Sequence, residues 1–224
     1  MDKDVMKATV REFRLFSKLD ETQLDKLVEH AAVTRIPKGG MFFSENKATQ
    51  GMHVLLSGKV KLFKLSEEGK EQTIFVFGPG EPFCLCSTFS DGKMPANLSA
   101  LEDSQVMFIT PEELESMVHE DASVLLTMMR VMSRRLKEAM EMIDSLALKQ
   151  IPSRLAAYFL SQQQEGNVEL GMSYRELSKI IGVTPEALSR TLKKMAGDGL
   201  ISVDGSRVTI EDMQGLEDCR EGRL

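Results

Sequence analysis

Glu186, Ser189 and Arg190 lie within TPEALSRTLKK, residues 184–194, at intervals that put them on one side of a helix, with Lys193 and Lys194 following. These residue types suit a surface that reads base pairs. An arginine fork donates to guanine O6 and N7, a carboxylate accepts from cytosine N4, a hydroxyl can do either, and lysines neutralise phosphates. The elements that must position them are legible on either side. Ser173 followed by Glu176 is a capping box, which starts a helix carrying Leu177, Ile180 and Ile181 on one face and ending at Gly182. Thr184 caps the next helix, Pro185 takes its first position, and Ala187, Leu188, Thr191, Leu192 and Met195 form a packed side. Two short helices joined this way form a helix-turn-helix. Downstream, Asp204-Gly205 between Ile201 and Ile210 predicts a hairpin wing that adds Arg207 to the cations.

The bulk properties bound this reading. With 224 residues and 42% hydrophobic side chains, the chain can fill two modest cores. No apolar run approaches the roughly 18 residues of a membrane span, and MDKDVMKATVREFRLF lacks a signal-peptide block, so a cytoplasmic protein without a membrane partner is expected. Cys84, Cys86 and Cys219 are too few and too irregular for a disulfide framework, which agrees with a reducing compartment. The net charge of −6 excludes a basic protein that coats phosphates without selectivity. Affinity for DNA must come from Arg190, Lys193, Lys194 and Arg207, doubled by dimerisation, and it must be salt-sensitive. His30, His53 and His119 are scattered and form no set with a nucleophile and an orienting acid, so no enzyme is expected.

In chain order, Val5 to Phe16 reads as a short helix and Asp20 opens a second with Leu24, Leu27 and Val28 on one face. From Ala32 to about Ile109, short β-type segments alternate with glycine turns, the pattern of a sandwich or jelly-roll barrel. Pro111 opens a short helix, and a long one runs from about Ala122 to Lys149. Leu125, Met129, Met132, Leu136, Ala139, Ile143 and Leu146 repeat along it by fours and threes, the seam of a two-stranded coiled coil, and so predict a homodimer. The same stripe could instead lie on the chain's own barrel, although Leu126, Val131, Met140 and Met142 are available for that packing. Pro152 predicts a bend near Gln150. A supporting helix from Ser153, a polar loop over residues 162–167 and a fraying tail after Gln214 complete the chain.

TPEALSR closely resembles the recognition helix of the Crp/Fnr superfamily, and its serine form is nearer the Fnr branch. IPKGGMFFSEN, LLSGKVKLF and GPGEPF resemble the cyclic-nucleotide-binding domain. The resemblance implies an α+β protein with a β jelly-roll sensing barrel over residues 1–120, a dimerisation helix over 121–149 and a winged helix-turn-helix over 150–224. It also implies a homodimer on palindromic double-stranded DNA with TTGA-like half-sites, and RNA polymerase as a further partner. Family members that bind cyclic nucleotides show F-G-E and then R-S or R-T. Here Cys84, Leu85 and Met94 stand at the glycine, glutamate and arginine positions, and Ala139 and Met140 replace the base-contacting hydroxyls of the long helix. Lys93 is the one cation nearby, and cyclic AMP is not expected. An iron–sulfur cluster is not expected either, because no cysteine precedes Cys84. F-C-L-C-S, residues 83–87, resembles the haem-binding run of the carbon-monoxide-sensing member but carries Cys86 in place of histidine. The Cys-x-Cys run is also similar to haem-linked regulators of nitrosative stress. Cys84 as a haem ligand, two inert core thiols sharing one face of an extended segment, and a thiol redox sensor remain three open readings of Cys84 and Cys86. A different class, a ligand-sensing subunit of an enzyme or channel that binds no DNA, has Thr184 to Arg190 against it.

Overall fold

The structure, a computed structural model, describes residues 2–223. Capped helices open the chain. Asp2 caps α1 (Lys3–Arg11), and Asp20 with Gln23 forms a reciprocal box at the start of α2 (Glu21–His30). The first helix is shorter than its periodicity predicts, because residues 12–18 continue as turns that bury Leu15 and Phe16.

The barrel follows as β1 (Ala32–Ile36), β2 (Met41–Phe43), β3 (Met52–Ser57), β4 (Val60–Leu65), β5 (Glu71–Phe77), β6 (Pro82–Phe83), α3 (Leu85–Thr88), β7 (Asn97–Ala100) and β8 (Ser104–Ile109). Two four-stranded sheets, in the orders β1-β8-β3-β6 and β2-β7-β4-β5, contribute to a core that includes Ile36, Leu55, Val60, Phe77, Phe83, Met94 and Leu98. The run Met52 to Leu56 is buried without alternation because β3 is covered on both faces. Leu55 joins the barrel core, while Met52, Val54 and Leu56 join a second core with α1, α2, α4 (Pro111–Glu120) and the start of α5 (Ser123–Leu148).

Along α5 the two apolar stripes have different fates. Val124 and Met128 are buried and Val131 packs beside them, whereas Leu125, Met129, Met132, Leu136 and Ile143 are exposed, and Ala139 and Leu146 are half-buried. Leu126 and Met140 do not serve the barrel packing expected of them. They lie exposed, because the spacing 124, 128, 131 already supplies the stripe that faces the barrel.

The chain breaks at residues 149–150 and continues as α6 (Ile151–Gln162), β9 (Asn167–Glu169), α7 (Tyr174–Ile181), α8 (Pro185–Gly197), β10 (Ile201–Asp204), β11 (Arg207–Ile210) and α9 (Met213–Arg220). One compact unit comprises Met1–Ser66 with Thr73–Lys137, and the other Glu67–Gln72 with Glu138–Leu224. The core of the second unit includes Leu155, Phe159, Leu177, Leu188, Leu192, Val208 and Leu216. Within it the Arg154 guanidinium donates to the carbonyls of Leu146 at 3.1 Å, Lys149 at 3.0 Å and Ile181 at 3.2 Å, and so caps the C-terminal ends of α5 and α7 together.

The segment after Gln214 does not fray. Asp212 caps α9 through the Gly215 N–H, and Leu216 and Cys219 are buried against α6 and its neighbours, so Cys219 is a core thiol. The polar loop after α6 is likewise shorter than expected, and its end becomes β9, a third strand paired with β11. Leu216→Ala should therefore cost the second unit about 2–5 kcal/mol, read by chemical denaturation, where a frayed tail would show no change.

Candidate nucleic-acid interface and barrel interior

In α8 one stripe is committed to the core: Leu188, Leu192 and Met195 are buried. On the opposite side, at the angles set by 3.6 residues per turn, Glu186, Ser189, Arg190, Lys193 and Lys194 are all exposed. Thr184 caps this helix by accepting from the Ala187 N–H at 3.2 Å, with Pro185 in the first turn. Hydrogen bonding to its own backbone N–H and to Thr184 holds the Glu186 carboxyl below the usual carboxylate range, so it is an ionised acceptor. In α7, Ser173 accepts from the Glu176 N–H at 3.3 Å. The Glu176 carboxylate takes Lys179 at 2.7 Å, and Gly182 ends the helix at φ 78°.

The hairpin of β10 and β11 closes through the two-residue turn Gly205-Ser206, one residue later than the expected Asp204-Gly205, because Asp204 pairs with Arg207 as the last strand residue. Sequence reasoning missed what holds that turn. The Tyr174 hydroxyl donates to the Gly205 carbonyl at 2.6 Å, and the Leu170 N–H donates to the Ser206 carbonyl at 3.0 Å. Burial raises the Tyr174 pKa, so the phenol remains a donor. Tyr174 directly follows the helix-capping Ser173, but no local pattern points from there to a turn 31 residues further on. Arg207 is not a free cation. Its Nε meets Glu169 Oε1 at 2.5 Å across the β9–β11 pair, a carboxylate whose strand the sequence did not reveal.

The barrel residues part company. Cys84 and Cys86 do not share a face, because α3 begins at Leu85: Cys84 is buried in the barrel core and Cys86 is exposed. Cys84 is left-handed, φ 64°, a conformation that favours glycine and costs a side-chain-bearing residue on the order of 1–3 kcal/mol. It is secured by Ser87 and Thr88, whose hydroxyls donate to its carbonyl at 2.7 and 2.9 Å. Met94 is buried beside Ser87, while Leu85 turns into the other core. Ala139, half-buried, and Met140, exposed, belong to the second unit. Burial, and then the neighbouring Cys86, push the Cys84 thiol far above its ordinary range, so it is protonated.

His53 departs from the hydrogen-bonded role that its place on a barrel strand suggests: its Nδ1 has no partner among the described residues. Rings of Phe42, Phe43, Phe83 and Phe108 surround it with centroids 4.9 to 5.6 Å away, and burial lowers its pKa to about 4, so the imidazole is neutral. Among the described residues, no group of three or more His, Cys, Asp or Glu is placed to hold a metal ion, and no helix is long and apolar enough to cross a membrane.

Residues 33–121 match the cyclic nucleotide-binding domain family, and residues 153–219 the Crp-like helix-turn-helix domain family. The chain is 30% identical to the fumarate and nitrate reduction regulatory protein of Salmonella typhimurium, over 87% of this chain and 80% of that protein. It is 26% identical to the cyclic AMP receptor protein of Thermus thermophilus, over 93% of this chain and 97% of that one. The solved structure of a CooA variant from Carboxydothermus hydrogenoformans superposes with a TM-score of 0.76 at 22% identity, covering 87% of this chain and 89% of that chain, a likeness of fold.

Tyr174→Phe should release the hairpin turn while leaving α8 in place. The expected outcome is operator binding weakened several-fold with base preference unchanged, read by titrating labelled duplexes that differ at single positions.

Proposed function

Because the chain belongs to the Crp/Fnr family of DNA-binding transcriptional regulators, we propose that it binds a palindromic double-stranded operator as a homodimer, under the control of an effector held in its barrel. The observation that carries the DNA reading is the outward face of α8, where Glu186, Ser189 and Arg190 stand opposite the buried Leu188, Leu192 and Met195. Arg190 forks onto guanine, Glu186 accepts from cytosine N4 on the other strand, and Ser189 tunes the neighbouring pair of a TTGA-like half-site. Thr184, Lys193 and Lys194 take phosphates, and Arg207 joins them by leaving Glu169. RNA polymerase is the proposed protein partner at the promoter, in the cytoplasm.

The dimer reading rests on the stripe Leu125, Met129, Met132, Leu136 and Ile143, exposed along one face of α5, with Ala139 and Leu146 completing the heptads. Two such helices would coil together. Effector binding would bias their packing and set the two copies of α8 into successive major grooves about 34 Å apart. Removing Arg190 tests the assignment: Arg190→Ala is expected to cost about 1–3 kcal/mol on the palindrome and to erase the preference for guanine at one position per half-site. Equal binding of all half-site variants by the wild type, or a lone half-site bound as tightly as the palindrome, would overturn it.

The effector we infer is apolar rather than cyclic AMP, the ligand named in the Thermus relative. Cys84, Leu85 and Met94, which occupy the positions of that ligand's polar anchors, are all buried apolar groups here. Haem is the specific candidate. The residues fit it at two points, the unpartnered Nδ1 of His53 and the Cys84 thiol, both in the barrel unit, while the exposed Cys86 is unsuited. A bound haem would supply an iron that takes nitric oxide or carbon monoxide. Cys84 must lose its proton to ligate, whereas His53 is already neutral. Haem titration of the purified protein should give a stoichiometric Soret band that shifts with carbon monoxide and changes in both Cys84→Ala and His53→Ala. Loose haem without such a shift would return both residues to the core and leave the DNA assignment standing.

A further inference from the structure

On the first unit, a half-open cleft of about 300 Å³ lies between the turn after α1, the β5–β6 turn and the first half of α5. Three arginines line it, Arg14 from the turn with Arg130 and Arg134 from the helix. Glu81 on the rim is already divided between Arg134, at 3.4 Å, and Arg135, at 2.7 Å. Arg14 and Arg130 are exposed and have no ion-pair partner among the described residues. Arg130 and Arg134 stand four residues apart, where like charges on a helix repel. Glu12 also lines the cleft, so three arginines stand there against two carboxylates, and the lining is net positive in a chain of net charge −6. The floor is apolar. Phe13 packs on the backbone of Gly80, which has φ 81° and where a Cβ would come within 2.8 Å of the ring, and Pro79, Leu15 and Val131 extend that surface.

We propose that this cleft is a binding site for a small organic carboxylate with a flat or short apolar body. The carboxylate is held by the Arg14 and Arg130 guanidiniums and the body lies against Phe13. A guanidinium fork matches a carboxylate with two parallel hydrogen bonds, and an apolar floor shields those bonds from water. The volume is at the small end of ligand pockets, which span roughly 300–1,000 Å³. Arg130 and Arg134 fall on positions of α5 turned away from the Leu125, Met129, Met132 and Leu136 stripe, so the ligand and a second copy of the helix would not compete. The site is distinct from the Cys84 and His53 region and does not depend on the DNA reading.

Calorimetric titration of the full-length protein with benzoate, and separately with inorganic phosphate, at constant ionic strength tests this. The expected result is saturable binding of one benzoate per chain, weakened about tenfold or more in Arg14→Gln and in Arg130→Gln, and unchanged in Arg35→Gln, an exposed arginine on β1. Thermal unfolding of each variant identifies any that fail to fold. Arg14→Gln, on a surface turn, keeps the test open if Arg130→Gln is such a variant. No saturation up to millimolar benzoate would overturn the proposal, as would equal weakening in Arg35→Gln. Phosphate bound with benzoate inert would overturn it too, because the apolar floor would then have no role.

Discussion

A helix can bury one stripe and must show the other, and α8 buries Leu188, Leu192 and Met195. Every other feature of the second unit serves that choice. The core around Phe159, Leu177 and Val208 grips the stripe, Thr184 and Pro185 set where the helix begins, and what is left outside is a row of side chains able to read base edges. The orientation is thus fixed by packing, with no contribution from the reading residues themselves.

The wing shows the same economy from the opposite direction. It has almost no core of its own, since Val208 is the buried member of β11 while residues 202–207 are exposed. Its position depends on pairing with β9, on the Arg207–Glu169 ion pair and on hydrogen bonds to both carbonyls of its turn. The ion pair is exposed and contributes little to stability, so the hydrogen bonds from Tyr174 and Leu170 carry the geometry. Arg154, bonded to three carbonyls at the ends of α5 and α7, plays the corresponding part on the other side of the unit.

In the barrel, Cys84 adopts a left-handed conformation suited to glycine, although nothing about cysteine favours it. The turn persists because Ser87 and Thr88 hold the Cys84 carbonyl. Around it the core is apolar, and His53 has a buried nitrogen without a partner among the described residues. A buried polar atom left unsatisfied costs about 1–3 kcal/mol.

Local patterns in the sequence were enough to define the helix-turn-helix, its N-caps, the hairpin though not its exact turn residues, the heptad stripe, the barrel's strand rhythm and the break near Gln150. Each of these depends on residues within a few positions of one another, where periodicity, capping and turn chemistry operate. Four things required the tertiary structure: the separation of Cys84 from Cys86, the burial of Leu216 and Cys219, the pairing of Arg207 with Glu169, and the bond from Tyr174 to Gly205. A strand and a short helix present the same two cysteines differently. A charged tail is ordered only by a core it can reach, and a bond between residues 31 positions apart leaves no local trace. Which apolar stripe of α5 meets the barrel was undecidable for the same reason. Two stripes of similar composition compete, and only the shape of the surface they pack against selects Val124, Met128 and Val131 and leaves the heptad seam exposed.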